Sequence, residues 1–433
     1  MTSNRREFLS ACAAAGVFIP GSAASGEATG GQQQQQLWPS TFPALRQRIN
    51  DQPLVFLDSA ATTLRPQSVI DALVDYYSTD NANPSPVHTL ASRAAGRLSS
   101  ARQTLARFVN AADPSEIVFT RGTTEGINLV ASTWGHANLR AGDEVVLTIA
   151  EHSSNLMPWT RAARQAGAGV QVVGVDDEGR LDIDQFKTLL SNRTRVVAFS
   201  HVSNVLGYVN PAKEICALAR QAGARVVIDG AQGAPHVKVD VQDLGCDFYV
   251  FSGHKMLGPM GTGVVWGRRD LLEAMPAYHV GSNMAHDVDF EGAAFEHGAQ
   301  KFQAGTPDVA GPVGLAAAVA FFESAGPALR RHDDELVRHG LAALQQIRGL
   351  RLIGPRNPNQ RVPVFTFVVE GHSALSVARS LDGRGIAVRA GDMAALPLLK
   401  RFATREAVRA SAYVYSTVDD LDRLARALRA LTK

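Results

Sequence analysis

A lysine stands four residues past an apolar run, in Phe248-Tyr249-Val250-Phe251 followed by Ser252-Gly253-His254-Lys255. An amine held partly out of water loses its proton more readily and can then form an imine with an aldehyde. Four other short motifs keep a fixed order around it: Arg121-Gly122-Thr123-Thr124-Glu125-Gly126, Glu151-His152, Asp229-Gly230-Ala231-Gln232 and Ala304-Gly305-Thr306-Pro307. Gly122-Thr123-Thr124 follows the apolar run Ile117–Phe119 and opens a helical stretch. Its backbone N–H groups, the helix dipole and two hydroxyls can hold a phosphate. Asp229 closes another apolar run, where a carboxylate is costly unless paired. Facing a pyridine nitrogen, it would keep that nitrogen protonated and make the ring an electron sink for charge at a substrate α-carbon. Taken singly, each has a plainer explanation: a threonine N-cap, an aspartate cap, a surface lysine. Together, each at the C-terminal end of a run, they describe one pocket for pyridoxal 5′-phosphate (PLP), because open α/β sheets bind ligands at that edge.

The elements that would position these groups alternate from Asp58 to about Gly267. Apolar runs at Ile117–Phe119, Val145–Ile149, Val170–Val175, Val196–Ser200, Val226–Asp229, Phe248–Phe251 and Gly263–Trp266 are separated by helical stretches such as Pro66–Tyr77 and Pro211–Gln221. Their hydrophobicity is continuous rather than alternating, which suggests strands buried on both faces. That predicts a mostly parallel sheet in an α/β fold. Past about Gly311 the order changes. Helical patterns at Ala316–Phe322 and Asp333–Gln346 precede a strand at Val362–Glu370 and a helix at Ala374–Arg384. This reads as a smaller α+β domain (residues 38–57 and 311–433) beside a large cofactor-binding domain (residues 58–310).

From Phe56 to the C-terminus the sequence resembles the class V aminotransferases, in particular the cysteine desulfurase and selenocysteine lyase branch. The resemblance rests on Gly122-Thr123-Thr124-Glu125-Gly126-Ile127-Asn128, on His201-Val202-Ser203-Asn204-Val205-Leu206-Gly207 and on Cys246 through Lys255. It implies the PLP-dependent transferase fold type I and a role for each matching position. Lys255 would carry the cofactor, Asp229 would pair with the ring nitrogen, Gln232 would bond the ring hydroxyl and His152 would stack on the ring. Thr123, Thr124, Ser252 and His254 would surround the phosphate. Thr306 would reach the phosphate of a partner subunit, which implies a homodimer. Asn204, Arg389 and Arg409 match positions near the substrate carboxylate, which an arginine fork suits. Arg401 and Arg405 precede Arg409 at helical spacing, so a helix-surface charge is the alternative for that residue.

The pattern breaks at two places. Desulfurases of this branch carry a loop cysteine that takes sulfur from the substrate; in Arg389-Ala390-Gly391-Asp392-Met393-Ala394-Ala395-Leu396-Pro397 its place falls on Ala394. A methyl group cannot accept sulfur. In Asn83-Pro84-Ser85-Pro86-Val87-His88, an expected arginine is Ser85, while His88 remains as a residue of the substrate entrance. Three readings follow. The first is an enzyme acting on an amino group without sulfur transfer, by transamination or decarboxylation-linked oxidation. The second is a desulfurase-like lyase using an external thiol. The third is a catalytically silent binding protein, which the presence of Lys255, Asp229, Gln232, His152 and Arg409 together disfavours.

Composition adds limits. With 43 basic and 41 acidic residues in 433, charge gives no argument for a nucleic-acid or membrane-surface partner. No run reaches the roughly 18 apolar residues of a membrane span, and no metal-ligand pattern occurs. Asn4-Arg5-Arg6-Glu7-Phe8-Leu9, a short apolar stretch and the small residues Ser22-Ala23-Ala24-Ser25 follow the order of a twin-arginine signal peptide. Residues 1–25 are therefore expected to address the folded protein to the periplasm through the Tat export machinery, with residues 26–37 a low-complexity linker. Past the signal only Cys216 and Cys246 remain, and both sit in core-like contexts. Among relatives, the periplasmic PLP enzymes that tailor pyoverdine siderophores share this address and the missing cysteine. The resemblance thus points to a siderophore or peptide side chain as substrate.

Overall fold

All seven apolar runs pair into a single sheet. Its strands are, in spatial order, Ile117–Thr120, Gly263–Gly267, Phe248–Ser252, Arg225–Asp229, Thr194–Ser200, Glu144–Thr148 and Gly169–Val173. Only Gly263–Gly267 runs against its neighbours; the remaining pairings are parallel. The computed structural model describes residues 38–432. The expected signal peptide and the whole of the expected linker lie outside the described residues. From Trp38 onward the chain forms one compact unit.

The interior strands are buried along nearly their whole length, so both faces must be apolar. The edge strand Gly169–Val173 is the exception and leaves side chains exposed. Because the strands run parallel, Thr120, Ser252, Asp229, Ser200 and Thr148 all end at one edge of the sheet. Helix Ala310–Ala325 packs on Gln67–Thr79 and Thr89–Val109. It therefore shares the cover of the large sheet, although its sequence position places it with the smaller region.

The second sheet is antiparallel throughout, in the order Leu350–Ile353, Val364–Val369, Ala407–Ser411, Arg389–Gly391. Helices Pro327–Gln345, Ala374–Asp382 and Val418–Leu431 bury their apolar faces against its core. Thr417 and Asp420 close a capping box that starts the last of these. The segment Val55–Phe56 pairs in parallel with Ile386–Ala387. Backbone bonds from Leu57 N to Ala387 O (2.9 Å) and from Ser411 N to Leu57 O (2.7 Å) then stitch the chain on either side of Asp58 to this second sheet.

Among the described residues, no single helix is long and apolar enough to cross a membrane.

Candidate active site

At the C-terminal edge of the large sheet, facing the Arg389 and Arg409 strands, lies a cavity of about 500 Å³. Thr123, Thr124, His152, Asn204, Asp229, Gln232, Ser252, His254, Lys255, Arg389 and Arg409 all line it. Two residues expected from the sequence do not. Thr306 lines a separate cavity with His279 and Pro307. His88 also lies elsewhere: it caps helix Thr89–Val109, its Nδ1 accepting the Ala91 N–H at 3.3 Å, so within this chain it is a helix cap and not a wall of the cavity.

Lys255 ends a short turn, Gly253–Lys255, that leaves the strand Phe248–Ser252. The turn is tied down by the His254 carbonyl, which accepts from Thr63 N at 2.9 Å and Thr62 Oγ1 at 3.1 Å. Burial pulls the Lys255 amine down to about 8, helped by the charge of Arg409 and opposed by that of Asp229. Near neutral pH a useful fraction is therefore the free base, as covalent capture of an aldehyde requires.

Asp229 is almost fully buried. Its Oδ1 accepts the Ala231 N–H at 2.9 Å, and burial raises its carboxyl above the ordinary carboxylate range. Such an acid calls for a cationic partner inside the cavity. Gln232 donates from Nε2 to Ala60 O at 2.7 Å, which fixes its amide at the wall.

The cradle for an anion forms where two strand ends meet. Gly122 has φ +139°, and a Cβ there would come within 3.2 Å of Ser252 Oγ, so the tight approach of the two strand ends favours glycine. Helix Thr123–Val130 starts immediately after it. Ser252 Oγ accepts the Thr123 N–H at 2.8 Å and lies 2.7 Å from Thr123 Oγ1, while Thr124 Oγ1 meets Ser154 Oγ at 2.8 Å. Hydroxyls, a helix N-terminus and a neighbouring lysine make this the donor set of a phosphate site.

His152 caps helix Ser153–Ala166 by accepting the Ser154 N–H on Nδ1 at 3.1 Å. Burial and the nearby cations Lys255 and Arg409 press its imidazole down to about 4. It is thus a neutral ring whose Nδ1 is tied to the helix start. His254 is likewise pressed down to about 4 by burial and Lys255.

Arg409 lies on a strand, not on a helix surface, and its side chain is 4% exposed. Its Nη1 donates to Asn204 O at 3.1 Å, and its buried Nε has no protein partner. Asn204 Nδ2 in turn holds the Met393 carbonyl at 2.9 Å. The Ala394 carbonyl accepts from Ser153 N at 2.7 Å. Met393 and Ala394 both adopt positive φ, +51° and +55°. None of the cavity-lining residues is a cysteine. Cys216 and Cys246 are buried in the core, and burial pushes the Cys216 thiol up to about 12 and that of Cys246 well above its usual value.

Three acids at this site are given no role by the sequence reading, although Glu151 stands in the Glu151-His152 motif. Asp58 bridges Arg389 and Arg409. Asp392 lines the mouth. Glu151 is fully buried behind His152, accepting from Thr148 Oγ1 (2.6 Å), Asn155 Nδ2 (2.8 Å) and Ser200 N (3.2 Å). Burial pushes it up to about 7, with the Asp229 charge adding to the shift. A signal for Asp58 did exist: it closes the apolar run Val55-Phe56-Leu57 as Asp229 closes its own.

A low-pKa lysine, a buried acid, a neutral histidine and a phosphate cradle on one edge of a mostly parallel sheet define a PLP-dependent protein of fold type I. A family model described as aminotransferase class-V matches residues 55–424. A cysteine desulfurase from Synechococcus elongatus is 46% identical over 390 residues, 90% of this chain and 62% of that protein's length. Crystal structures of cysteine desulfurases from Escherichia coli (37% identical, TM-score 0.84, covering 92% of this chain and 98% of that one) and Thermococcus onnurineus (34%, 0.85, 90% and 98%) share its fold. The chain belongs to the class V aminotransferase family, whose cofactor is PLP.

Proposed function

We propose that the protein is a periplasmic PLP enzyme that acts on the amino-bearing carbon of an α-amino carboxylate, by transamination or decarboxylation-linked oxidation, without a sulfur-accepting thiol of its own. The observation that carries this reading is one cavity lined by Lys255, Asp229, Thr123, Ser252, Arg389 and Arg409 beside a loop, residues 389–397, that contains no cysteine. PLP, when bound, supplies the electron sink that weakens bonds to the substrate α-carbon.

The residues of this chain do the rest. Thr123, Thr124, Ser252 and His254 hold the phosphate. Asp229 keeps a positive charge at the ring nitrogen. Arg409 and Arg389 take the substrate carboxylate and so fix which α-carbon bond faces the ring. The Lys255 amine, once free, accepts and returns the α-proton; its lowered basicity suits that exchange near neutral pH. His152, neutral, walls the cavity without competing for the proton. The twin-arginine start supports a periplasmic address, and the resemblance to siderophore-tailoring enzymes supports a siderophore or peptide side chain bearing a free amino group. The family resemblance also supports a homodimer in which Thr306 serves the partner's site.

The test is to give the purified holoenzyme L-cysteine with reductant, and separately amino-group donors, following sulfide, carbonyl product and carbon dioxide. Consumption of a donor with no sulfide above that from free PLP is expected; brisk sulfide release from cysteine alone would refute the reading. The address is checked by export of the Arg5→Lys/Arg6→Lys precursor, which should remain in the cytoplasm.

A second reading, a desulfurase-like lyase that hands sulfur to an external thiol, is favoured by the identity to cysteine desulfurases. Sulfide release that appears only when a small thiol is added would select it.

A further inference from the structure

Arg389 and Arg409 are direct partners across two antiparallel strands. Two like charges directly opposite one another on a sheet repel and destabilise the pair unless a counter-charge intervenes. Asp58 intervenes. Arg389 Nη2 donates to its Oδ2 at 2.7 Å and Nε to its Oδ1 at 3.4 Å, and Arg409 Nη2 reaches the same Oδ1 at 3.4 Å. The Asp58 backbone cannot drift: it forms a bridge with Ser411, and Ser59 N donates to Ser411 O at 3.2 Å. Its side chain is 13% exposed, against 49% for Arg389.

We propose that Asp58 is a positioning and specificity-determining residue, setting the arginine pair to receive a substrate end that carries one carboxylate beside its amino group and disfavouring a second carboxylate on a small substrate. This deepens the functional reading above and rests on it. Charges at the mouth balance. The two guanidinium groups are offset by Asp58 and by Asp392, whose Oδ1 accepts the Ala394 N–H at 3.0 Å. At the floor Lys255 and Asp229 face one another, and His152 and His254 are neutral. With both arginines already offset, the pair can take one carboxylate at its open donors, and a second carboxylate on the same small molecule would be uncompensated. Asp58 also keeps the guanidinium edges aligned while leaving donors open, among them the buried Arg409 Nε, which has no protein partner.

The test uses holoenzyme whose lysine-bound cofactor has been fixed by borohydride, so that no turnover occurs. Propionate and succinate are compared as probes by thermal stabilisation and competition. Wild type should bind propionate more tightly than succinate. Asp58→Asn keeps the shape and an acceptor oxygen but removes the charge, and should move the ratio toward succinate by about tenfold, the scale of a partly screened charge contact. Succinate binding the wild type as tightly as propionate would overturn the proposal, and that measurement requires no variant to fold. An unchanged ratio in Asp58→Asn would overturn it too. Sulfide release from cysteine by the wild type would instead sink the functional reading and leave this ratio untouched, because cysteine also carries one carboxylate.

Discussion

The floor and the rim of the cavity are made by different parts of the fold and are held in different ways. The floor is built from strand ends of the large sheet: Ser252 through Lys255, Asp229 and the start of helix Thr123–Val130. Its groups are buried, and burial shifts Lys255 down and Asp229 up. The rim comes from the second sheet, with Arg389 half-exposed and the loop 391–395 held by two of its carbonyls and by the buried Met393 and Ala395 side chains. The floor suits the cofactor's chemistry as such. The rim decides which molecule reaches it and whether a nucleophile waits there. Cofactor capture and choice of reaction should therefore be separable by mutation.

The largest expected effect is at the floor. Lys255→Ala should abolish the visible absorption of lysine-bound PLP and the borohydride-fixed label, and lower turnover by several orders of magnitude. If another lysine took the label in wild type, the assignment of the floor would fail. Arg409→Ala, at the rim, should leave that absorption intact while weakening substrate use by about 2–5 kcal/mol, the scale of truncating one partner of a buried charged pair. Loss of the absorption in Arg409→Ala would show that floor and rim are not independent.

Ala394→Cys sharpens the comparison further. The loop is pinned, with its Met393 carbonyl on Asn204 and its Ala394 carbonyl on Ser153 N. A thiol alone should thus give little sulfide from cysteine, because an attacking arm must also move. Brisk desulfuration by this single variant would mean that the rim differs from a desulfurase's only by the missing sulfur atom.

How much of this could be read from the sequence follows the same division. The floor was legible because each of its residues ends an apolar run, and parallel strands must present those ends together. The rim was only half legible. Arg389 and Arg409 stand out through the resemblance, but Asp58 lies 331 positions before Arg389, and only long-range pairing, of Val55–Phe56 with Ile386–Ala387 and of Asp58 with Ser411, brings it there. The helical pattern Ala316–Phe322 reads as part of the smaller domain from its position after the sheet, whereas the nearly all-round apolar surface of helix Ala310–Ala325, which contains it, packs it on Gln67–Thr79 and Thr89–Val109. His88 carries the same residue type as a substrate contact, yet its local geometry makes it a helix cap.

The smallest effect expected is at Glu151, behind the floor. Three donors surround its carboxylate, yet burial, reinforced by Asp229, raises it to about 7, from an ordinary value of 4.5. A folded-state value above the unfolded one means that the contribution is fully present below about 4.5 and is lost as pH rises through about 7. Glu151→Gln removes that titration. The new amide can still accept from Thr148 and Ser200. It can also donate to Asn155, whose Oδ1 is buried without a partner, once that amide turns over. The variant should therefore fold with a stability within about 1 kcal/mol of wild type in mild acid. Its Tm relative to wild type should rise between about pH 5 and about pH 8, because only the wild type must then hold a buried charge beside Asp229. Equal Tm differences at both pH values would show that Glu151 does not titrate in this range. A fall at the higher pH would mean that its ionised form is what the fold prefers, with the three donors outweighing the burial.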